Sequence, residues 1–291
     1  MSPNLVTVLM PLKNGLPFLE ESVNSILQQS FREFEFIIVD DHSTDNSLEF
    51  LENIKDPRIK ILKNKGYGIA EALNTGIDYT STKYLAIMDA DDISDNNRIK
   101  NQFNYLECNN DCVIVGTSIF YFTSSSYKRR WKVRMPSSSD VIKYGLNNGL
   151  YVLSHPTIMV RTSSIIKIGG YKSESFPNID VDFYKRLIQE GYFSNLSEQF
   201  TSVRLHVKSF TQNYLPAIVK NNILLKRNKK TLNTIYDKLV YLLKYLSTFT
   251  YKKSVILYLN GSYVLWIFYL LAAGLFDIPK TLFFIRNKLV R

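Results

Sequence analysis

A short apolar run that leads directly into three carboxylates constrains this sequence most. Residues Tyr84–Met88 are all suited to burial and show no alternation of polar and apolar positions, which is typical of a strand covered on both faces in a parallel sheet. Asp89, Asp91 and Asp92 follow within four positions. Because clustered carboxylates repel one another, they favour a site where a divalent cation or sugar hydroxyls lie between them. The alternative is an acidic turn that caps the helix predicted near Asn97.

The first hundred residues repeat one pattern of strand, polar turn and helix. Apolar strands are predicted at 5–10, 34–39, 59–62 and 84–88, and amphipathic helices at 17–29, 44–54 and 69–77. This alternation predicts an α/β fold, a doubly wound and mostly parallel sheet flanked by helices. Such sheets bind ligands beyond the carboxyl ends of their strands. Pro11, Lys13, Asp40-Asp41 and the Asp89–Asp92 cluster all fall there, so we expect them to line one crevice.

The absence of several motifs argues against other classes of nucleotide-binding protein. No Gly-x-Gly-x-x-Gly follows the first strand and no Gly-x-x-x-x-Gly-Lys-[Ser/Thr] occurs, which argues against a dehydrogenase and against a kinase-type phosphate loop. A bridging divalent metal, Mn²⁺ or Mg²⁺, is then the simplest way to hold phosphates. Cys108 and Cys112 are too few for a disulfide framework or a four-ligand zinc site. The apolar stretch Leu5–Leu12 is only strand length, so no secretion signal is expected.

Several motifs together resemble the family 2 glycosyltransferases of the GT-A fold, of the type that assembles bacterial surface polysaccharides. The motifs are Met10-Pro11-x-x-Asn14, Val39-Asp40-Asp41-x-Ser43-x-Asp45, Met88-Asp89-Ala90-Asp91-Asp92, His155–Met159 and Gly169-Gly170-Tyr171. The resemblance is close over residues 5–106 and resumes at the last two motifs. It implies an enzyme that uses a nucleotide sugar, with a UDP-sugar as the expected donor.

The resemblance also implies roles for residues of the first half. Pro11 lines the nucleotide pocket, and Asp41 accepts a hydrogen bond from the base. The acids of the Asp-x-Asp motif, Asp89 and Asp91, handle the ribose and the metal, and Asp91 is expected to be the direct metal ligand.

Other candidate residues keep two interpretations each. Asp180 inherits the role of the base that deprotonates the acceptor hydroxyl, although Ile179 stands where the family has Glu; alternatively, Asp180 only caps its helix. Lys13 occupies a position that is often aromatic in the family, and it either approaches the diphosphate or is solvated. Lys65 has the same two interpretations. His155 either touches the acceptor or diphosphate, or is a hydrogen-bonded core residue.

The C-terminal region differs from the rest of the chain in charge. Residues 207–291 contain 14 Lys and Arg against two Asp and Glu, whereas residues 1–206 contain 22 against 24. A basic segment next to the uncharged stretch 254–276 favours an anionic membrane surface over nucleic acid as the partner. The stretch reaches the ~20 residues needed to span a bilayer, but basic residues after it oppose that orientation. We expect helices lying in the interface or dipping as a hairpin; the alternative is a helix pair packed on the catalytic domain.

These observations predict two regions and one activity. Residues 1–206 form the catalytic domain, with a nucleotide-sugar half at about 1–106 and an acceptor half at about 107–206, and residues 207–291 associate with the cytoplasmic face of the cell membrane in a peripheral or monotopic manner. Lys128–Arg134 forms either a flexible wall over the crevice or a solvated hairpin. The expected activity is inverting, metal-dependent transfer to a hydroxyl of a lipid-linked glycan. The alternatives are a non-catalytic membrane scaffold and a sugar-phosphate nucleotidyltransferase, which would show a Gly-rich signature at Pro11–Asn14.

Overall fold

The computed structural model describes residues 4–123, 130–147 and 150–206. In these residues a mixed sheet is flanked by helices. The strands are β1 Val6–Leu12, β2 Phe34–Asp40, β3 Ile59–Lys63, β4 Tyr84–Ile87, β5 Ile93–Ser94, β6 Cys112–Phe122, β7 Trp131–Val133, β8 Met159–Arg161 and β9 Tyr192–Arg204. The helices are α1 Leu19–Leu27, α2 Ser47–Glu52, α3 Ile69–Asp78, α4 Arg98–Cys108, α5 Ser139–Asn147, α6 Thr162–Lys167 and α7 Ile179–Leu187.

The sheet is parallel in its first half and antiparallel beyond it. Its order is β3-β2-β1-β4-β8-β6-β9-β5, with β7 paired to β6. Strands β1 to β4 pair in parallel, which confirms the doubly wound pattern there. Strand β8 pairs antiparallel with β4 and β6, as does β5 with β9. The expectation of a mostly parallel sheet is therefore corrected to a mixed one, because the strand–helix alternation that predicts parallel pairing ends at α4.

Burial on both faces holds the parallel half together. Val8 and Ile38 lie on one face of the sheet and Leu9 and Ile37 on the other, and none of the four has exposed surface. Full burial of a Val, Leu or Ile side chain contributes about 1.5–3 kcal/mol. Helix α3 approaches β1 closely at Gly76, where a Cβ atom would lie 2.1 Å from Leu9 Cδ1. A side chain at this helix position would push α3 away from the sheet, so glycine fixes the spacing between the two layers.

The described residues belong to two compact units. Among the described residues, one unit contains 4–119, 134–147 and 150–203, and the other contains 120–123, 130–133 and 204–206. Every candidate site residue lies in the first unit. The basic and apolar helices predicted for 207–291 lie outside the described residues, as do residues 128 and 129 of the predicted wall or hairpin. Of the described remainder of that segment, Trp131–Val133 forms β7. Within the part of the chain that the structure describes, no helix is both long and apolar enough to cross a membrane.

Candidate active site

The carboxyl ends of the parallel strands bring the predicted nucleotide residues to one edge of the sheet. Pro11 lies at the end of β1, and Asp41 directly follows β2, where its N–H donates to Leu12 O at 2.7 Å. Asp89 comes two residues after β4, the other neighbour of β1. Three separate segments thus meet at the edge where open α/β sheets bind their ligands.

The Asp41 carboxylate is buried and held from three sides. Asn64 Nδ2 donates to Oδ1 at 2.6 Å, and Gly68 N lies 3.0 Å from both oxygens. Lys13 Nζ forms an ion pair with Oδ2 at 3.2 Å, and the Lys13 side chain is 57% exposed. The carboxylate is therefore fixed in place before any ligand arrives. Lys13 lies beside it, whereas sequence alone left the direction of this side chain open.

Two non-glycine residues adopt left-handed backbone conformations in the loops beside Asp41. Asn14 has φ 52° and His42 has φ 57°, a region that costs free energy for most residues and is found preferentially at functional sites. Asn14 Oδ1 accepts a hydrogen bond from Thr44 N at 2.7 Å. The loops that follow β1 and β2 are consequently tied to each other at the edge of the sheet.

The acids after β4 form a compact cluster. Ligand oxygens of Asp89, Asp91 and Asp92 all lie within 4.8 Å of one another. Burial, together with the negative charges of Asp91 and Asp180, raises the pKa of Asp89 to about 7. Asp180 therefore acts on the same cluster, although it comes from an element far along the chain. Carboxylate oxygens at this spacing fit a hard divalent cation such as Mn²⁺ or Mg²⁺.

A buried arginine lies beneath the acidic cluster, and the sequence did not identify it. Arg98 has no exposed surface; its Nη2 donates to Ile87 O at 2.6 Å and its Nε donates to Gln102 Oε1 at 3.0 Å. Burial lowers its pKa to about 10, while Asp92 and Asp89 act in the opposite direction, so the guanidinium stays charged at neutral pH. It offsets part of the repulsion among the acids. The sequence does contain one sign of this arrangement: Arg98 and Gln102 are polar residues spaced four apart, on the same face of α4 as the apolar residues Ile99 and Leu106.

Helix α1 anchors the loop that carries the acids. Ser22 Oγ donates to Asp92 O at 2.6 Å, and Gln29 Nε2 donates to Asp95 O at 2.6 Å. Gln29 Oε1 also accepts from Ile99 N at 3.1 Å. Ser22 is a buried polar residue of α1, and Gln29 is buried two residues after the end of this helix. They fix both the acidic turn and the start of α4.

Asp180 lies in the first turn of α7, beside a chain of buried rings. Its Oδ1 accepts from Val181 N at 2.8 Å. His155 Nδ1 lies 2.9 Å from Tyr184 Oη, and His155 Nε2 lies 3.3 Å from Tyr171 Oη. The sequence did not anticipate the contribution of Tyr184, because a tyrosine in an amphipathic helix is usually core.

Burial and the charge of Asp180 shift the pKa values of His155, Tyr171 and Tyr184. Burial lowers the pKa of His155 and raises the pKa of Tyr171 and Tyr184, and the Asp180 charge acts on all three groups. The imidazole is therefore neutral at neutral pH, and a neutral imidazole donates through one nitrogen and accepts through the other. One tyrosine then donates to His155 and the other accepts from it.

The structure does not bring Lys65 to the site acids. Lys65 Nζ forms an ion pair with Asp78 Oδ2 at 2.8 Å, and both side chains are more than half exposed. The hydrogen bond with Asp78 raises the pKa of Lys65. Its ammonium is thus held at the far end of α3, although the Lys65 backbone belongs to the loop next to Asp41.

Known proteins resemble this chain over most of its length. Residues 7–169 match the family described as Glycosyl transferase family 2. The chain is 30% identical over 229 residues to an uncharacterized glycosyltransferase of Methanocaldococcus jannaschii, covering 77% of each. It is 30% identical over 246 residues to the putative glycosyltransferase EpsE of Bacillus subtilis, covering 82% of this chain and 87% of that one. It is also similar to WfaP of Escherichia coli, 29% identical over 230 residues, covering 76% and 86%; WfaP is named a UDP-Glc:alpha-D-GlcNAc-diphosphoundecaprenol beta-1,3-glucosyltransferase.

Solved structures share the fold. Staphylococcus aureus TarS in complex with UDP-GlcNAc superposes with a TM-score of 0.60 at 18% identity, covering 84% of this chain and 72% of that chain. The mannosyltransferase PcManGT of Pyrobaculum calidifontis, in complex with GDP-Man and Mn²⁺, gives a TM-score of 0.53 at 14% identity, covering 99% and 80%. At such identities the likeness shows the architecture alone, which is the GT-A-like arrangement expected from the sequence.

Proposed function

The chain belongs to glycosyl transferase family 2, and from this premise we propose that it is an inverting, metal-dependent enzyme that moves one sugar from a UDP-sugar to a hydroxyl of a lipid-linked glycan. The observation that carries the proposal is the acidic cluster after β4, whose oxygens lie within 4.8 Å of one another and whose Asp89 feels the charge of Asp180. This electrostatic link supports a site in which Asp89 and Asp91 serve the leaving diphosphate and Asp180 serves the attacking hydroxyl.

The donor would be seated by the edge residues of the parallel strands. Asp41 would offer a fixed carboxylate to an N–H of the base, Pro11 would line the pocket, and Lys13 would approach the diphosphate. When bound at Asp91 and Asp89, Mn²⁺ or Mg²⁺ supplies positive charge for the diphosphate leaving group. Because Lys65 is paired with Asp78, its predicted contact with the nucleotide requires that ion pair to open.

Asp180 would act as the general base. As the acceptor oxygen attacks the anomeric carbon, its proton passes to the Asp180 carboxylate, and the bond between that carbon and the diphosphate oxygen breaks. Attack from the face opposite the leaving group inverts the configuration. A single carboxylate suffices for this one-step displacement, and Asp180, in the first turn of α7, would supply it.

We infer the donor and the acceptor from the names of similar proteins and from the positive charge of residues 207–291. WfaP is named for UDP-Glc and for a diphosphoundecaprenol-linked acceptor, and TarS was crystallised with UDP-GlcNAc. The basic composition of residues 207–291 suits an anionic membrane. We therefore assign the reaction to surface polysaccharide assembly at the cytoplasmic face of the membrane, with residues 1–206 as the catalytic domain.

A turnover experiment tests the proposal. The full-length protein is incubated with UDP- and GDP-sugars, Mn²⁺ and a sugar-diphosphate lipid, and both nucleoside diphosphate release and glycolipid product are measured. We expect one donor to be consumed, product whose new linkage has the inverted anomeric configuration, and loss of product on chelation by EDTA. Transfer that persists unchanged in EDTA or in Asp91→Asn would contradict the metal-dependent mechanism.

A further inference from the structure

One aromatic side chain beside the proposed nucleotide site has no role in the reaction described so far. Tyr67 is 77% exposed, the highest value among the large hydrophobic residues in the described part of the chain. Its ring stacks on the His42 imidazole, with centroids 4.4 Å apart and planes inclined by 23°. One face of the tyrosine is thus supported by protein while most of the ring surface remains in solvent.

The backbone on both sides of Tyr67 is fixed to the residues that form the nucleotide edge. Before it, Gly66 O lies 2.9 Å from His42 Nε2. After it, Gly68 has φ 90° and donates its N–H to both oxygens of Asp41. The His42 backbone is itself left-handed, at φ 57°, which places the imidazole directly after Asp41. The backbone next to Tyr67 is therefore bonded on one side to His42 and on the other side to the Asp41 carboxylate.

This arrangement suits a flat, hydrogen-bonding ligand. The Asp41 carboxylate accepts hydrogen bonds and thereby recognises the edge of a nucleobase, but recognition of its face needs an aromatic or apolar surface. The groups that touch Asp41 are an amide, a backbone N–H and an ammonium, none of which offers a face. Tyr67 does, and base–aromatic stacking contributes affinity to any base because every base has a π-face.

Building on the proposed function, we propose that Tyr67, backed by His42, is the stacking platform for the nucleobase of the donor. The platform takes a nucleoside diphosphate or its sugar ester, and it acts on binding rather than on chemistry. It compensates for the lysine at position 13, which has no ring to offer.

The test compares nucleotides with an abasic probe. Binding of UDP, GDP and ribose 5-diphosphate to the full-length protein with Mn²⁺ is measured by calorimetry for wild type, Tyr67→Phe and Tyr67→Leu. Tyr144→Ala serves as the matched control, since Tyr144 is also largely exposed, at 64%, but lies on α5. Because the Tyr67 side chain is exposed, its replacement is expected to leave the thermal midpoint unchanged.

We expect Tyr67→Leu to weaken binding of the better nucleotide by about five- to hundredfold, the range found for loss of one stacked base, while affinity for ribose 5-diphosphate stays the same. Tyr67→Phe and Tyr144→Ala should bind like wild type. Nucleotide affinity that survives in Tyr67→Leu, or a parallel loss for the abasic probe, would overturn the platform alone. A wild-type protein that binds no nucleoside diphosphate would instead contradict the proposed function and the platform together.

Discussion

At the scale of single residues, several neighbours shift the pKa of Asp89 in opposite directions. Burial and the charges of Asp91 and Asp180 raise its pKa to about 7, and Arg98 opposes the shift. Its pKa in the folded state thus lies above the unfolded value of 3.8. Between about pH 4 and pH 7 the folded protein keeps a proton that the unfolded chain has lost, so this group lowers stability as the pH rises through that window.

Replacing Asp89 by Asn should therefore stabilise the metal-free protein, and more so at pH 8 than at pH 5. We expect the thermal midpoint in EDTA to rise by a few degrees at pH 8, at about 2–4 °C for each kcal/mol of repulsion relieved, and to change little at pH 5. Thermal unfolding of Asp89→Asn and wild type at the two pH values measures this. An equal shift of the thermal midpoint at both pH values would show that burial and neighbouring negative charges do not destabilise the ionised Asp89 carboxylate.

Asp180 and Asp182 form a matched pair for testing the general base. Asp180→Asn should lower kcat by about 10²–10⁴-fold, the usual contribution of general acid–base catalysis, with UDP affinity unchanged. Asp182 is bonded to Arg186 Nε at 2.8 Å on the same helix, so Asp182→Asn should leave kcat within about twofold of wild type. If the two variants have the same kcat, Asp180 is not the base.

The acids of the site could be predicted from the sequence, whereas most of their partners could not. A carboxylate after a buried strand is visible as a pattern, because strand ends and ligand edges coincide in open α/β sheets. The contacts of Asn64 with Asp41 and of Tyr184 with His155 depend on which loops and helices meet, and a single sequence carries no local signal for that. Lys65 illustrates the same limit, since Asp78 is thirteen residues away and on the next helix.

At the scale of elements, helix α3 is joined to the segment that carries Tyr171. Asn74 Nδ2 donates to Tyr171 O, and Tyr171 N donates to Asn74 Oδ1, both at 2.8 Å. Gly170 has φ 64°, and a Cβ atom there would lie 2.5 Å from Asn74 Oδ1. Its neighbour Gly169 has φ 73°, but a Cβ atom there would meet nothing within 4 Å. A side chain at position 169 would therefore cause backbone strain alone, whereas a side chain at position 170 would cause backbone strain and a steric clash.

Gly170→Ala should therefore destabilise the protein more than Gly169→Ala. An alanine with φ > 0 costs roughly 1–2 kcal/mol, and at position 170 displacement of Asn74 adds about 0.5–1.5 kcal/mol for each disrupted hydrogen bond. Urea unfolding of the two variants measures the difference. Equal midpoints would mean that the Asn74 contact with Tyr171 does not contribute to stability.

The periodicity of the sequence predicted the elements of the first half well and those of the second half less well. Strands β1–β4 and helices α1, α2 and α3 overlap the segments that apolar spacing indicated. Helix α5 was not predicted, since residues 123–149 are rich in polar residues and only Ile142, Gly145 and Leu146 of that helix are buried. The antiparallel placement of β8 depends on pairing with β4, which no local pattern encodes.

At the scale of the whole molecule, charge is divided between the two predicted regions. The catalytic region is close to neutral, and the fourteen basic residues of 207–291 are opposed by two acids. We expect the full-length protein to sediment with phosphatidylglycerol vesicles and a chain ending at residue 206 to remain in the supernatant. Added salt should weaken the association, since it screens exposed charges. Equal sedimentation of both chains would contradict a membrane role for 207–291, and displacement by duplex DNA would favour the nucleic-acid alternative.

The proposed mechanism requires side chains from Pro11 to Asp180 to converge on one nucleotide site. A crystal structure of the protein with UDP and Mn²⁺ tests this most directly. We predict an anomalous manganese peak at the carboxylates of Asp91 and Asp89, the diphosphate on that metal, the uracil edge at Asp41 and Asp180 facing the open side of the diphosphate. Nucleotide density away from the carboxyl edge of the parallel strands, or manganese bound without Asp91 and Asp89, would contradict it.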